Sequence, residues 1–182
     1  MKRELTPGRL STETLILMGL GLFKLFLHFY VNTYTAYGFF RDELYFLACG
    51  EHLAWGYVDQ PPLVAVVAWG TRALLGDSLF AVRFFPALAG AVKLVLVGFM
   101  ARELGGGRFA QIVAALTVLV SGVYLGHDNF LSMNTFDQLF WILAAYLFIL
   151  IVKRENLRLW IPFGAVVGLG LSGLAMKLRR RK

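Results

Sequence analysis

Charge is scarce in this chain, and acids are scarcest. Of 182 residues only 11 are Asp or Glu, against 18 Lys or Arg, and charged residues make up 16%. A soluble domain carries about 25%. Hydrophobic residues reach 58% and mean hydropathy is +0.66, so an ordinary soluble domain is excluded and a membrane protein is indicated. The single Cys49 excludes an internal disulfide and reads as a small packed residue rather than a reactive thiol. The N-terminal stretch reads as an uncleaved first span rather than a clean signal peptide. The charged lead is long, Lys24 and His28 interrupt the first apolar run, and no A-x-A site follows. Gly105, Gly106 and Gly107 follow no strand and form no GxGxxG pattern, which excludes a phosphate-cradling loop of that type. There is no internal repeat, low-complexity tract or linker, so residues 1–182 read as one membrane domain. The net charge of +7 does not indicate nucleic acid. The basic residues sit at segment ends and in the tail "KLRRRK", where they act as topology signals.

What is present is a set of apolar runs. Five stretches, 14–35, 82–101, 108–126, 136–152 and 159–176, approach the roughly 20 residues a bilayer needs. A sixth, "PPLVAVVAWGTRALLG" (61–76), is short, begins with two prolines and carries Arg72, as a helix lying at the interface would. If it does not cross, Lys2, Arg3 and Arg9, the turn with Arg102 and Arg108, and the turn with Lys153, Arg154 and Arg158 share one side. That side is then cytoplasmic. Residues 36–81 and "GHDNFLSMNTFD" face outward. Only the tail fits badly, because a fifth crossing would carry "KLRRRK" outside. The expected fold class is an all-α membrane protein of about five transmembrane helices, with two amphipathic interfacial helices in the first outer loop.

The acids gather in that loop. "YGFFRDELYFLACGEHLAWGYVDQPPLVAV" (37–66) holds Asp42, Glu43, Glu51 and Asp59. Its letters "RDEL" form a retention signal only at a C-terminus, so here they carry none. In "DELYFLACGEHLAW", Leu44, Leu47, Ala48 and Trp55 fall roughly on one helical face. Asp42 sits where an N-cap would, and Tyr45, Trp55, Tyr57 and Trp69 are spaced like an interfacial aromatic belt. Pro61 and Pro62 separate the two helices. Asp42 is open to two readings, a cap or a functional acid. Asp128 and Asp137 lie in the second outer loop on the same side. Carboxylates converging at a bilayer surface are costly without a purpose. They suit proton acceptance, cation binding or the positioning of sugar hydroxyls.

His127 reads either as a metal ligand or as a hydrogen-bonded loop histidine, and one histidine among scattered acids leaves a divalent metal open. Lys24 and His28 share a face of the first span. Lys24 either faces the bundle or snorkels, and Lys93 reads likewise. "GLGLSGLAM" has the small-residue spacing of close helix packing.

Taken in order, "RDELYF", "VDQPPL", "VRFFPALAGA" and "LSMNTFDQLFWILAAYL" resemble the integral-membrane glycosyltransferases of the GT-C fold. The similar branch is the bacterial relatives of dolichyl-phosphate-mannose protein mannosyltransferases, with the lipid A aminoarabinose transferases. The resemblance implies a partial GT-C fold and transfer of a sugar from a polyprenyl-phosphate carrier to an acceptor on the outer face of a bacterial inner membrane. It implies Asp42 as the catalytic Asp, acting as a base, Asp59 as the acidic position before the double proline, and Asp137 as the acid ending the second outer loop. It places Lys177 near the donor phosphate, although "MKLRRRK" departs from the family pattern. Glu43, His127 and Asp128 join these as substrate-binding candidates. No cofactor is assigned and a divalent metal stays open, and the acceptor is a protein, lipid A or another envelope glycan. Family members are far longer, so the chain is expected to be an N-terminal portion with weak activity of its own or none. Two other readings compete: a small transporter using Lys24, His28, Lys93 and the outer acids, and a non-catalytic membrane partner.

Overall fold

A computed structural model describes residues 11–34, 37–57 and 60–179, the last eight as helix path only. The described residues are all helical, without strands. The helices are α1 (Thr12–Tyr34), α2 (Arg41–Glu51), α3 (Pro62–Leu75), α4 (Leu79–Glu103), α5 (Arg108–Val120), α6 (Gly122–His127), α7 (Met133–Arg154) and α8 (Trp160–Arg179).

Three of the expected spans are single helices. α1, α4 and α7 have 23, 25 and 22 residues, about 33–37 Å at 1.5 Å per residue, enough for a hydrocarbon core of about 30 Å. The run 108–126 is not continuous. It breaks at Ser121 into α5, of 13 residues, and the short α6. Nothing in its hydropathy marks the break. The run 159–176 lies within α8 except for Leu159, which closes a 3₁₀ turn at Leu157–Leu159.

α4 is the hub and packs against α1, α5 and α7. Small residues make this approach possible: a Cβ on Gly98 would meet the Leu17 side chain, and one on Gly21 would meet Val95. Gly105, at φ +93°, turns the chain out of α4, and the Gly106 N–H donates to Ala101 O. Glu13 pairs with Arg108, and Glu103 pairs with Lys153 and Arg154. The basic turns therefore share one end of the bundle, as the charge pattern predicts. α2 and α3 occupy the other end.

α2 and α3 form where the two interfacial helices are expected, with Pro62 opening α3. The contact face of α2 differs in part from the expected apolar one: α2 buries Glu43, Phe46, Cys49 and Gly50 and packs Leu47 against the core, while Leu44 and Ala48 are exposed and Trp55 lies beyond the helix. The physical reason is the surroundings. In lipid an apolar face gains little from turning inward, and a carboxylate gains much from a buried partner. Phe40, not Asp42, is the N-cap of α2. Tyr57 takes over at the far end, its hydroxyl donating to Cys49 O and accepting from Ala54 N. Arg72 on α3 bridges Glu51 and Asp77, whose hydrogen bonds raise its pKa above the ordinary arginine value, Glu51 contributing most. These bonds hold α2, α3 and the entry to α4 together.

Candidate functional site

The adjacent acids of "RDEL" divide into two environments because successive helical residues lie about 100° apart. Asp42 is half-exposed, its side chain 47% accessible, and among the described residues its ion-pair partner is its neighbour Arg41 at 3.3 Å. Such an exposed pair is weak. Glu43 is fully buried. Arg83 Nε donates to its Oε1 at 3.0 Å and Nη2 to its Oε2 at 2.8 Å. The N–H of Leu131 adds a bond to Oε1 at 2.9 Å, and that of Phe40 a bond to Oε2 at 2.8 Å. Arg83 also donates to Asn32 Oδ1 on α1 and to Gly38 O. One ion pair thus ties α1, the start of α2, α4 and the segment before α7. Every Glu43 oxygen is taken by the protein, whereas Asp42 keeps accessible lone pairs.

A second buried cluster lies deeper. Asp128 is fully buried between Lys24, at 2.9 Å from Oδ2, and Lys93, at 2.5 Å from Oδ1. Both lysines stand near the middle of their helices, and both approach the face of Tyr124. The bundle-facing reading of Lys24 and Lys93 is therefore the one the fold realises. The segment carrying Asp128 dips into the bundle instead of staying in a surface loop. Gly90 allows this, since a Cβ there would collide with the Asp128 carboxylate. Between the clusters, His28 Nδ1 and Asn129 Oδ1 lie 3.3 Å apart. Lys24, His28 and Asn32 recur every four residues along α1, forming a polar stripe inside an apolar bundle. Toward the basic end the stripe stops at a plug of Leu17, Leu94, Ala115 and Val118.

The remaining candidates separate. His127 is half-buried, its Nδ1 3.0 Å from Gln138 Nε2. Its ring lies edge-on to Phe130, which packs against Phe40 beside the start of α2. Asp137 is exposed in the first turns of α7. Asp59 and the side chain of Lys177 lie outside the described residues. Among the described residues no three His, Cys, Asp or Glu side chains gather into a metal-binding group.

Sequence reasoning named Arg83 only as part of a motif, and it passed over Asn32 and Gln138. For Asn32 a signal existed: it continues the four-residue spacing of Lys24 and His28. Gln138 left none, because its role depends on how α7 faces α4.

A family model described as dolichyl-phosphate-mannose-protein mannosyltransferase matches residues 59–173. No curated protein and no solved structure matches the chain.

Proposed function

This chain belongs to the dolichyl-phosphate-mannose-protein mannosyltransferase family, and on that premise we propose that it transfers a sugar from a polyprenyl-phosphate carrier with Asp42 as the base. In this reading the reaction runs at the α2–α3 end of the bundle, facing outward from a bacterial inner membrane, and the grouping of the basic turns at the opposite end supports it. The observation that carries the assignment is the division between neighbours. Glu43 is saturated by Arg83 and two backbone N–H groups, while Asp42 stands half-exposed and among the described residues pairs with Arg41 alone.

The chemistry needs one base. An acceptor hydroxyl attacks the anomeric carbon as its proton passes to the Asp42 carboxylate. The bond from that carbon to the phosphate oxygen breaks, and polyprenyl phosphate leaves with the electron pair. Attack opposite the leaving group inverts the anomeric centre. Phosphate is a good leaving group, so it needs positive charge or hydrogen-bond donors rather than an acid. Glu43 and Asp128 enter this reading as supports rather than as ligands, because lysine and arginine already occupy their oxygens. Asp137 and His127 remain available to substrate. The acceptor is a protein hydroxyl, lipid A or another envelope glycan.

The transporter reading finds less support. A conducting path needs polar groups through the whole thickness, and the polar stripe ends at the Leu17–Leu94–Val118 plug.

The test is transfer by the purified chain in lipid nanodiscs, supplied with a polyprenyl-phosphate hexose labelled in the sugar. Loss of a general base costs about 10²–10⁴ in rate. Asp42→Asn should lower release of polyprenyl phosphate by that factor while leaving the melting temperature unchanged. Release at the unmodified rate would remove Asp42 from the mechanism.

A further inference from the structure

His127 is joined to the buried lysine cluster by a single side chain. Gln138 lies between them, its Oε1 2.8 Å from Lys93 Nζ and its Nε2 3.0 Å from His127 Nδ1. An ammonium group only donates, so the oxygen of the amide must face Lys93. That orients the NH₂ group toward His127. An NH₂ group facing a ring nitrogen donates to it, so Nδ1 must be the acceptor and the ring proton must sit on Nε2. The usual ambiguity of amide and imidazole assignment is removed here by Lys93, which Asp128 holds at 2.5 Å. Thr135 fixes the backbone of the same residue, donating to His127 O. His127 Nε2 is not among the buried atoms that lack a partner, and among the described residues no acceptor is found for it. It is an oriented N–H on a half-buried ring.

We propose that Lys93 and Gln138 lock His127 as the Nε2–H tautomer, so that it donates a hydrogen bond to the phosphate of the lipid-linked sugar donor. The assignment of the ligand rests on the function proposed above, while the tautomer does not. The aromatic contacts from His127 through Phe130 to Phe40 put this donor on the same end of the bundle as Asp42. The positive charge of the lysines stays buried, and the cluster acts at the surface only through the direction of a proton.

Two measurements test the two halves. In the chain labelled with ¹⁵N-histidine in nanodiscs at pH 8, the His127 signals are identified by their loss in His127→Gln. They should show Nδ1 unprotonated and Nε2 protonated. Gln138→Glu keeps the shape but accepts at that position, and should invert the tautomer. An Nδ1–H ring in the unmodified chain overturns the lock.

The second measurement is the affinity for polyprenyl phosphate in zwitterionic nanodiscs. A glutamine amide nitrogen falls near the place of Nε2 and an asparagine amide near that of Nδ1. His127→Gln should therefore keep the affinity within about threefold, while His127→Asn should lose about tenfold or more, as expected for a hydrogen bond to a charged group. Equal affinities for the two variants overturn the donor role. Binding to phosphatidic acid as tight as to polyprenyl phosphate reassigns the ligand to any anionic headgroup and overturns the donor assignment. Should the unmodified chain bind neither, the ligand assignment fails together with the function, and the ¹⁵N result still decides the tautomer.

Discussion

Asp42 and Glu43 differ by one position and by almost everything physical. Buried charge is tolerated only when paired, and removing one partner of such a pair typically costs 3–5 kcal/mol. Arg83→Gln should therefore destabilise the protein by about that amount, read as the free energy of denaturant unfolding in detergent. Arg41→Ala, which removes only the exposed partner of Asp42, should change it by less than about 0.5 kcal/mol. Similar effects from both would mean that the Glu43–Arg83 pair is not the anchor its geometry suggests. "RDEL" announces two acids but not which is buried, because that depends on Arg83, forty positions later. The same holds for Asp128. Its position in a loop-like stretch suggests access, yet Lys24 and Lys93 take it inside.

At the scale of elements, the fold depends on how closely α4 can be approached. Gly90 is the point where the Asp128 carboxylate rests against α4. Gly90→Ala should shift the 122–132 segment and lower stability by about 1–3 kcal/mol, the usual cost of overpacking. Gly122→Ala, with open space around its Cβ position, should be neutral. The comparison is read from melting temperatures together with proteolysis of 121–132, and equal melting temperatures would contradict the close contact. Helix existence was legible at this scale, since α1, α4 and α7 follow from apolar length alone. The break at Ser121 was not, and neither was the inward face of α2. Both are set by burial of charged groups arriving from other helices.

For the molecule as a whole, the ends are distinguished by charge. With Cys49 replaced by Ala, single cysteines at Tyr37 and Glu155, both exposed, report the orientation in cells. The cysteine at Tyr37 should react with a membrane-impermeant maleimide from outside, and the one at Glu155 only after permeabilisation. The reverse pattern would place the site on the cytoplasmic face and remove the outward reaction.

The sequence by itself determined the class of the protein, its helical character, the grouping of its basic turns at one end and the family to which it is similar. These follow from local properties: apolar run length, the period of the chain, and charge counted along it. Only the tertiary structure decided which acid stands free, that Asp128 is buried between two lysines, and which nitrogen of His127 carries its proton. Each of those depends on the Coulomb and hydrogen-bond partners of one side chain. Packing supplied those partners from residues 35 to 104 positions away in Glu43–Arg83, Lys93–Asp128 and Lys24–Asp128.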